Sequence, residues 1–594
     1  MDIEAILRRT ALFKRLHDEP LAALAGVAQL REIAGGTCLM QEGEPSDSLY
    51  VVVTGRMRAQ SSTSAEPTDI GVHEAIGEVG VAANGPRLAT VHAVRDSVVL
   101  ELEGGAMLDA LQPYPGALFV VMQAVLRRMQ RLLRRHHGPS SSPLKTLALL
   151  ELHPGAGGSE FHGRLIEALR LRDEVCVIDA AAVDQALGAK ASTWPFEDGA
   201  QNRELVRWLA AQEQLHDIVV LLAGDGSSEW TQRCLRQADR ILLLSEADEP
   251  HMGREVGQLL AGLPTLAERE LVLRRHREGP VGDVMRLRRD AAASAHHYWR
   301  PGRDEDVQAI ARQLTGHGIG VVLSGGGARG FAHIGLVRAL NELNIPVDLF
   351  GGSSMGSFIA ALWAQGLSAR EMVGVCRENF VERNLLNDYT LPRVSLIRGQ
   401  RFLEGLRDIF GEQQIEALWR PYYAVSTNLT LGCQHAHIEG ELALWLAASM
   451  LIPGIAPPIG WKGNLHADGG IVNNLPTDVM HQRARGPVLA CSVNTVGAVH
   501  CRGVEGPDPG VLHDWPLEEP RPSLFDILTR TATLTSDSGT ARRAELADVF
   551  LQMPVPRIGM FEFEPIDELV RTGYEFAMRT LLEQRALLLE PGQG

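Results

Sequence analysis

Apolar positions fall into three successive patterns along the chain. In the first stretch, short runs (TCLMQEG, SLYVVVTG, IGVH, ATVHAV and SVVLELE) are separated by Gly, Asp or Pro. That spacing predicts a small antiparallel barrel or roll. Segments near Leu21 to Leu30 and Leu108 to Leu133 carry apolar residues at helical spacing and are expected to flank it. Next, TLALLEL, EVCVIDA, DIVVLLAG and RILLLSE alternate with helical stretches such as RLIEALR and TQRCLRQA, which predicts a parallel sheet with helices on its faces. From about Gly318 the alternation resumes as IGVVL, a glycine loop and FAHIGLVRALNEL. In that last segment Phe331, Ile334, Val337, Leu340 and Leu343 recur at helical spacing.

Two breaks punctuate the patterns: the turn-rich GPSSSP from Gly138 to Pro143, and a softer one from Tyr298 to Asp306 ahead of a short helix. The expected organisation is a first domain over 1–137, a linker over 138–143, a middle module over 144–315, and a last domain over 316–594 with its core at 319–482 and a C-terminal extension. A length of 594 residues suits several domains. The balance of 45% apolar and 22% charged residues is that of a globular chain.

The net charge of -16 sets nucleic acid aside as the main partner, because a phosphate backbone is bound by a basic domain. Cys38, Cys176, Cys234, Cys376, Cys433, Cys491 and Cys501 form no C-x-x-C pair, which points to a reducing, cytoplasmic setting. MDIEAILRRTALFKRLHDEP lacks an apolar core of signal-peptide length. Val347 to Leu367, the most apolar stretch, is rich in Gly and Ser and reads as a buried strand and helix, not a bilayer span.

Chemistry concentrates in the last domain. IGVVLSGGGARGFAHIG places Gly325, Gly326, Gly327 and Gly330 between a strand and a helix, where backbone amides can hold an anion. Alone, the loop also fits a dinucleotide site or a plain turn. The next strand, VDLF, runs into GGSSMG, where Gly352, Ser354 and Gly356 form G-x-S-x-G at a strand-to-helix turn, the setting of a nucleophile elbow. A serine needs a base within hydrogen-bond reach. Asp468 in NLHADGGIVNNLP is the candidate, although D-G-G also suits a simple turn.

GGGARG, GSSMG and ADGGIVNNLP together resemble the patatin-like phospholipases, and more narrowly the bacterial branch of the neuropathy target esterase family. GFAHIGLVRAL, TNLT, ASMLIPGIAPP and NNLPTDVM support the likeness, which runs over essentially the whole chain. The resemblance implies Ser354 as nucleophile and Asp468 as general base, an oxyanion hole from the Gly325, Gly326 and Gly327 amides with Arg329 adding positive charge, and an acyl-enzyme. No metal and no catalytic cofactor are implied. A Ser-His-Asp triad stays open, because His481, His500 and His513 follow Asp468 in α/β-hydrolase order. His333 and His466 lie close to catalytic segments and read as structural or pocket-lining. Ala447 stands where the family carries an arginine.

EGEPSDSLYVVVTGR and AIGEVGVAANGPRLATVHA resemble a cyclic-nucleotide-binding domain. Gly77 and Glu78 open a helical turn, Glu78 can accept from a ribose hydroxyl, and Arg87 can pair a cyclic phosphate. Leu88, standing where cyclic-GMP-selective members place a hydroxyl, favours cyclic AMP as the regulatory ligand. A solvated Glu78 and Arg87 pair is the competing reading. Arg127, Arg128, Arg131, Arg134 and Arg135, interleaved with Leu126, Met129, Leu132 and Leu133, form an amphipathic basic helix that fits either a linking helix or reversible contact with an anionic membrane face. PGAGGS, Pro154 to Ser159, follows a strand like a phosphate loop but lacks the Lys and Ser/Thr that grip a triphosphate.

The expected fold is therefore multidomain α/β: an N-terminal cyclic-nucleotide-binding β-roll with helices, a degenerate Rossmann-like or P-loop-like module, and a patatin-like α/β hydrolase domain. The expected function is hydrolysis of acyl esters of lysophospholipids or phospholipids at a cytoplasmic, peripheral site. The alternative is a nucleotide-responsive effector with a vestigial hydrolase domain.

Overall fold

The computed structural model describes residues 2–62, 67–134, 144–196, 199–224, 226–276, 281–391, 393–494, 527, 534, 536, 539–555 and 558–589. The GPSSSP linker, Arg135, Cys501, His500 and His513 lie outside them, as do the side chains of Arg128, Arg131, Leu132, Leu133 and Arg134. Two compact units emerge, Met1–Gly316 and His317–Gly594.

The first unit opens with a roll of two four-stranded sheets. One runs in the order Gln29–Ile33, Ser97–Glu103, Ser48–Thr54 and Ala75–Ile76. The other is Cys38–Met40, Thr90–Ala93, Met57–Gln60 and Thr68–Ile70. Local boundaries depart from the apolar pattern. The first expected helix is Asp18–Val27, and Leu30 belongs to a strand instead. IGVH is not a strand beyond Ile70: the Gly71 amide donates to the Glu74 carboxylate at 2.9 Å, closing a turn into the next strand. The long helix expected from Leu108 to Leu133 is two helices, Gly104–Leu111 and Pro115–Arg134, because proline has no N–H to continue a helix but suits the start of one.

The same unit contains a six-stranded parallel sheet ordered Val175–Ile178, Ile218–Leu222, Thr146–Glu151, Arg240–Glu246, Glu268–Arg274 and Ala295–Trp299. Its last two strands were hidden by polar residues in apolar positions. Glu270 and His297 are buried on neighbouring strands and meet at 2.7 Å, each satisfying the other. The softer break expected at Tyr298 to Asp306 is therefore no boundary. Tyr298 and Trp299 end a sheet strand, and the helix Asp304–Leu314 packs against Gly158–Arg170 in the same unit.

The second unit is an eight-stranded mixed sheet. Five strands run parallel: Tyr422–Asn428, Leu349–Ser353, Gly320–Leu323, Val488–Ser492 and Val549–Gln552. Cys433–His437 and Asn464–Asp468 pair antiparallel with Tyr422–Asn428, and Ile459–Trp461 completes a hairpin with Asn464–Asp468. Helix Ala332–Glu342 lies against the C-terminal helix Ile566–Leu589. A Cβ on Gly573 would collide with the backbone of Ala332, so glycine is what lets these two helices approach.

Candidate active site

Strand geometry brings Ser354 and Asp468 together from 114 residues apart. Tyr422–Asn428 pairs with Cys433–His437 along one edge over Ala424 to Asn428. Its other edge is shared. Leu349–Ser353 occupies it as far as Val425, and Asn464–Asp468 takes over from Ser426. The two strands thus meet end to end, and Ser353 and Asp468 pair with consecutive residues. The residue after Ser353 is placed beside Asp468.

Ser354 has φ 51° and ψ -130°, a strained backbone for a residue with a side chain, and it sits between the buried strand and the helix Met355–Ala364. The flanking glycines are required by close approach. A Cβ on Gly352 would lie 2.6 Å from the Leu323 oxygen, and one on Gly356 2.5 Å from the Ser324 oxygen. Ser354 Oγ donates to Asp468 Oδ2 at 2.8 Å, and Asp468 Oδ1 accepts from the Gly470 amide at 2.7 Å. Burial pushes the Asp468 carboxyl up to about 6, against the opposing pull of the Ser354 and Gly470 hydrogen bonds.

Above this pair lies the glycine loop. A Cβ on Gly325 would be 2.8 Å from the Ser354 Cβ, which shows how closely the loop covers Ser354. Asn474 clamps Gly325 from both sides: its carbonyl accepts the Gly325 amide at 3.3 Å and its Nδ2 donates to the Gly325 oxygen at 3.2 Å. The Gly325 amide is therefore engaged, whereas those of Gly326 and Gly327 have no acceptor among the described residues. Arg329 Nε donates to the Gly326 oxygen at 3.3 Å, bracing the loop from within. The Ala328 amide donates to Met560 O at 2.8 Å, so the C-terminal extension helps shape the loop.

Ser449 and Asn474 were not singled out from the sequence. The Ser354 amide donates to Ser449 Oγ at 2.9 Å, and Ser449 Oγ donates to the Val425 oxygen at 2.6 Å, tying the elbow to its neighbouring strand. Both residues lie in segments, ASMLIPG and NNLP, whose family likeness could have marked them. Ala447 is fully buried in the helix Leu442–Met450, where a small apolar residue fits.

No imidazole among the described residues contacts the Ser354 and Asp468 pair. His333 Nε2 bonds the Ser324 oxygen at 2.9 Å, and burial lowers its imidazole to about 4. His466 Nδ1 meets Ser426 Oγ at 3.0 Å, and His481 lies on the helix Thr477–Arg483. No group of three or more His, Cys, Asp or Glu among the described residues could hold a metal ion.

In the roll, Gly77 has φ 80° and Glu78 starts the short helix Glu78–Ala83. Arg87 is buried, with Nη1 donating to the Ser48 oxygen at 2.7 Å and Nη2 3.4 Å from Asp47 Oδ1. Glu78 is buried too, so neither belongs to a solvated surface pair, whereas Leu88 is exposed. In the middle module, Arg274 Nη2 donates to the Gly155 oxygen at 2.9 Å and its Nε to Glu246 at 2.7 Å, so an ion pair braces the PGAGGS loop. On helix Pro115–Arg134, Leu126, Arg127 and Met129 are exposed.

A glycine-flanked serine on a strained strand-to-helix turn, hydrogen-bonded to a buried aspartate on a neighbouring strand, gives the second unit the geometry of a serine hydrolase's nucleophile elbow. Residues 321–481 match the family described as patatin-like phospholipase, 143–316 the neuropathy target esterase family P-loop-like domain, and 30–114 the cyclic nucleotide-binding domain. The chain belongs to the patatin-like phospholipases, in the neuropathy target esterase branch with an N-terminal cyclic nucleotide-binding domain. It is 30% identical to patatin-like phospholipase domain-containing protein 6 of Homo sapiens, over 92% of this chain and 44% of that protein. It is 28% identical to lysophospholipase nte1 of Aspergillus fumigatus, over 93% and 42% respectively. The chain thus spans less than half the length of these relatives. Among solved structures, the N-terminal domain of a transcriptional regulator from Streptomyces coelicolor A3(2) is 32% identical, covering 22% of this chain and 93% of that one with a TM-score of 0.20.

Proposed function

We propose that the second unit hydrolyses the acyl ester of a lysophospholipid or phospholipid through a Ser-Asp dyad. The observation that carries this reading is the 2.8 Å hydrogen bond from the strained Ser354 to the buried Asp468. Asp468 takes the hydroxyl proton as Ser354 Oγ bonds to the ester carbonyl carbon, and the carbonyl oxygen becomes an oxyanion facing the Gly326 and Gly327 amides. Each such donor contributes about 3 kcal/mol to the transition state. Collapse breaks the ester C–O bond, and the proton passes from Asp468 to the departing alcohol. Water, deprotonated by the same carboxylate, then attacks the acyl-enzyme and releases the fatty acid. Lysophospholipid is favoured because the fungal relatives carry the name lysophospholipase.

Cyclic AMP is the proposed regulatory ligand of the roll, its phosphate pairing with Arg87 and its ribose with Glu78. No helix among the described residues is long and apolar enough to cross a membrane, and a peripheral, cytoplasmic station is proposed.

A fluorophosphonate probe should label the wild-type chain and not Ser354→Ala, and fatty acid release from lysophosphatidylcholine should vanish with the label. A folded wild-type chain that takes no label would leave the effector reading with a vestigial hydrolase domain. Calorimetry with cyclic AMP and cyclic GMP should show heat for the former, lost in Arg87→Ala; no heat with either would remove the ligand.

A further inference from the structure

We infer that an apolar rim beside the Ser354 site docks on an anionic lipid surface; the inference rests on the acyl-ester hydrolase reading of that site. Tyr389, Leu391 and Val394 are 74%, 81% and 69% exposed, and Leu396 is exposed beside them. Single exposed apolar residues are ordinary, but such a run on one short segment marks an interaction surface.

The segment is held in shape. The Thr390 amide donates to the Leu396 oxygen at 2.9 Å and the Arg398 amide to the Asp388 oxygen at 3.0 Å. Ser395 and Ile397 are buried between the exposed Val394, Leu396 and Arg398, so one face is anchored and the other presented to solvent. The anchor leads to the chemistry. The Leu396 and Ile397 amides donate to the Gly454 and Ile455 oxygens at 3.0 and 2.8 Å, and three residues before Gly454 the Leu451 oxygen accepts the Asp468 amide at 2.9 Å.

A second group of exposed leucines follows the strand that pairs with Ser353. Tyr422–Asn428 runs three residues beyond Val425, the partner of Ser353, and its turn presents Leu429 and Leu431. The Leu429 amide donates to the oxygen of exposed Leu465 at 2.8 Å. In the adjoining hairpin turn, Lys462 Nζ lies 4.4 Å from the centre of the Trp461 ring, a pairing of aromatic body and charged tip suited to a water-lipid boundary.

Charge selects the occupant. In a chain of net charge -16, exposed Arg393 and Arg398 have no ion-pair partner among the described residues. Apolar side chains entering the acyl boundary with guanidinium groups at headgroup phosphates match an anionic bilayer face. A substrate with an acyl chain resides in that same phase.

The full chain is sedimented with vesicles of phosphatidylcholine alone or of phosphatidylcholine and phosphatidylglycerol in equal parts. Wild type should bind the anionic vesicles. The double variant Leu391→Ser, Val394→Ser should lose at least about tenfold in partitioning, and Arg393→Gln, Arg398→Gln should lose the preference for phosphatidylglycerol. Both should keep fluorophosphonate labelling and hydrolysis of soluble p-nitrophenyl butyrate. Absence of wild-type binding, unchanged binding in the leucine-valine variant, or loss only in Leu126→Ser, Met129→Ser on helix Pro115–Arg134 would overturn the assignment. So would a change in self-association without a change in vesicle binding, since the surface would then serve a protein contact. Vesicle binding without fluorophosphonate labelling would refute the hydrolase reading while leaving the lipid surface standing.

Discussion

Replacing Asp468 with asparagine should make the protein more stable and nearly inactive. Burial lifts this carboxyl from an ordinary value of 3.8 to about 6, so its charged form is penalised in the folded chain by about 3 kcal/mol. Between about pH 4 and pH 6 the folded state holds a proton that the unfolded chain releases. Stability therefore falls as pH rises through that window, and the full cost is present above it. Asparagine is isosteric and neutral. Its Oδ1 can accept from the Gly470 amide and its Nδ2 can donate to Ser354 Oγ, so both contacts persist in altered polarity. At pH 7.5 Asp468→Asn should gain about 1 to 3 kcal/mol over wild type, shrinking towards zero below pH 4. Scanning calorimetry of both chains from pH 4 to pH 7.5 measures the difference. Its fatty acid release should drop by about 10² to 10⁴. Wild-type kcat/KM should rise about tenfold per pH unit below pH 6 and level off above. An Asp468→Asn chain no more stable than wild type at pH 7.5, or a wild-type profile with no acid limb near pH 6, would refute the reasoning.

Ser449→Ala strips the Ser354 amide of its buried acceptor, so the folded second unit should lose about 1 to 3 kcal/mol; the unfolding midpoint should fall by a few degrees and the rate of fluorophosphonate labelling should fall with it. Gly573→Val drives a branched side chain into the Ala332 backbone and should cost about 1 to 3 kcal/mol or more, read as a lower unfolding temperature. Arg95→Ala leaves buried Glu213 without its guanidinium partner and Asp239 facing Arg56 alone, and should cost about 3 to 5 kcal/mol, read by urea unfolding and by faster proteolysis within the first unit.

The elements around Ser354 were legible because each is a local pattern. IGVVL is a strand because its apolar residues are continuous, and GSSMG is an elbow because only glycine survives the approach of Leu323 and Ser324. Asp468 was legible as a residue type in a motif, but its meeting with Ser354 depends on two strands sharing one edge of Tyr422–Asn428, which no local pattern records. Ser449 and Asn474 were missed for the same reason. Each acts through backbone groups distant in sequence, and a serine in ASM or a second asparagine in NNLP looks like its neighbours. The engaged Gly325 amide could not be read either, since three consecutive glycines are chemically alike until one is bonded.

Charged residues were the least legible, and they hold the first unit together. Arg95 is almost wholly buried and donates through both terminal nitrogens to Glu213 at 2.9 and 2.8 Å and through Nε to Asp239 at 2.7 Å. Asp239 also faces Arg56 at 3.2 Å and accepts the Lys145 and Thr146 amides, both at 3.1 Å. Arg56 and Arg95 belong to turns of the roll, whereas Glu213 and Asp239 belong to the parallel module. Sequence places these charges in turns or beside apolar runs, where the default reading is a solvated face. Burial reverses it: breaking one such pair leaves an uncompensated charge, so the partners must stay in register. A displacement of the Arg56 or Arg95 turn would therefore have to carry the starts of strands Thr146–Glu151 and Arg240–Glu246 with it.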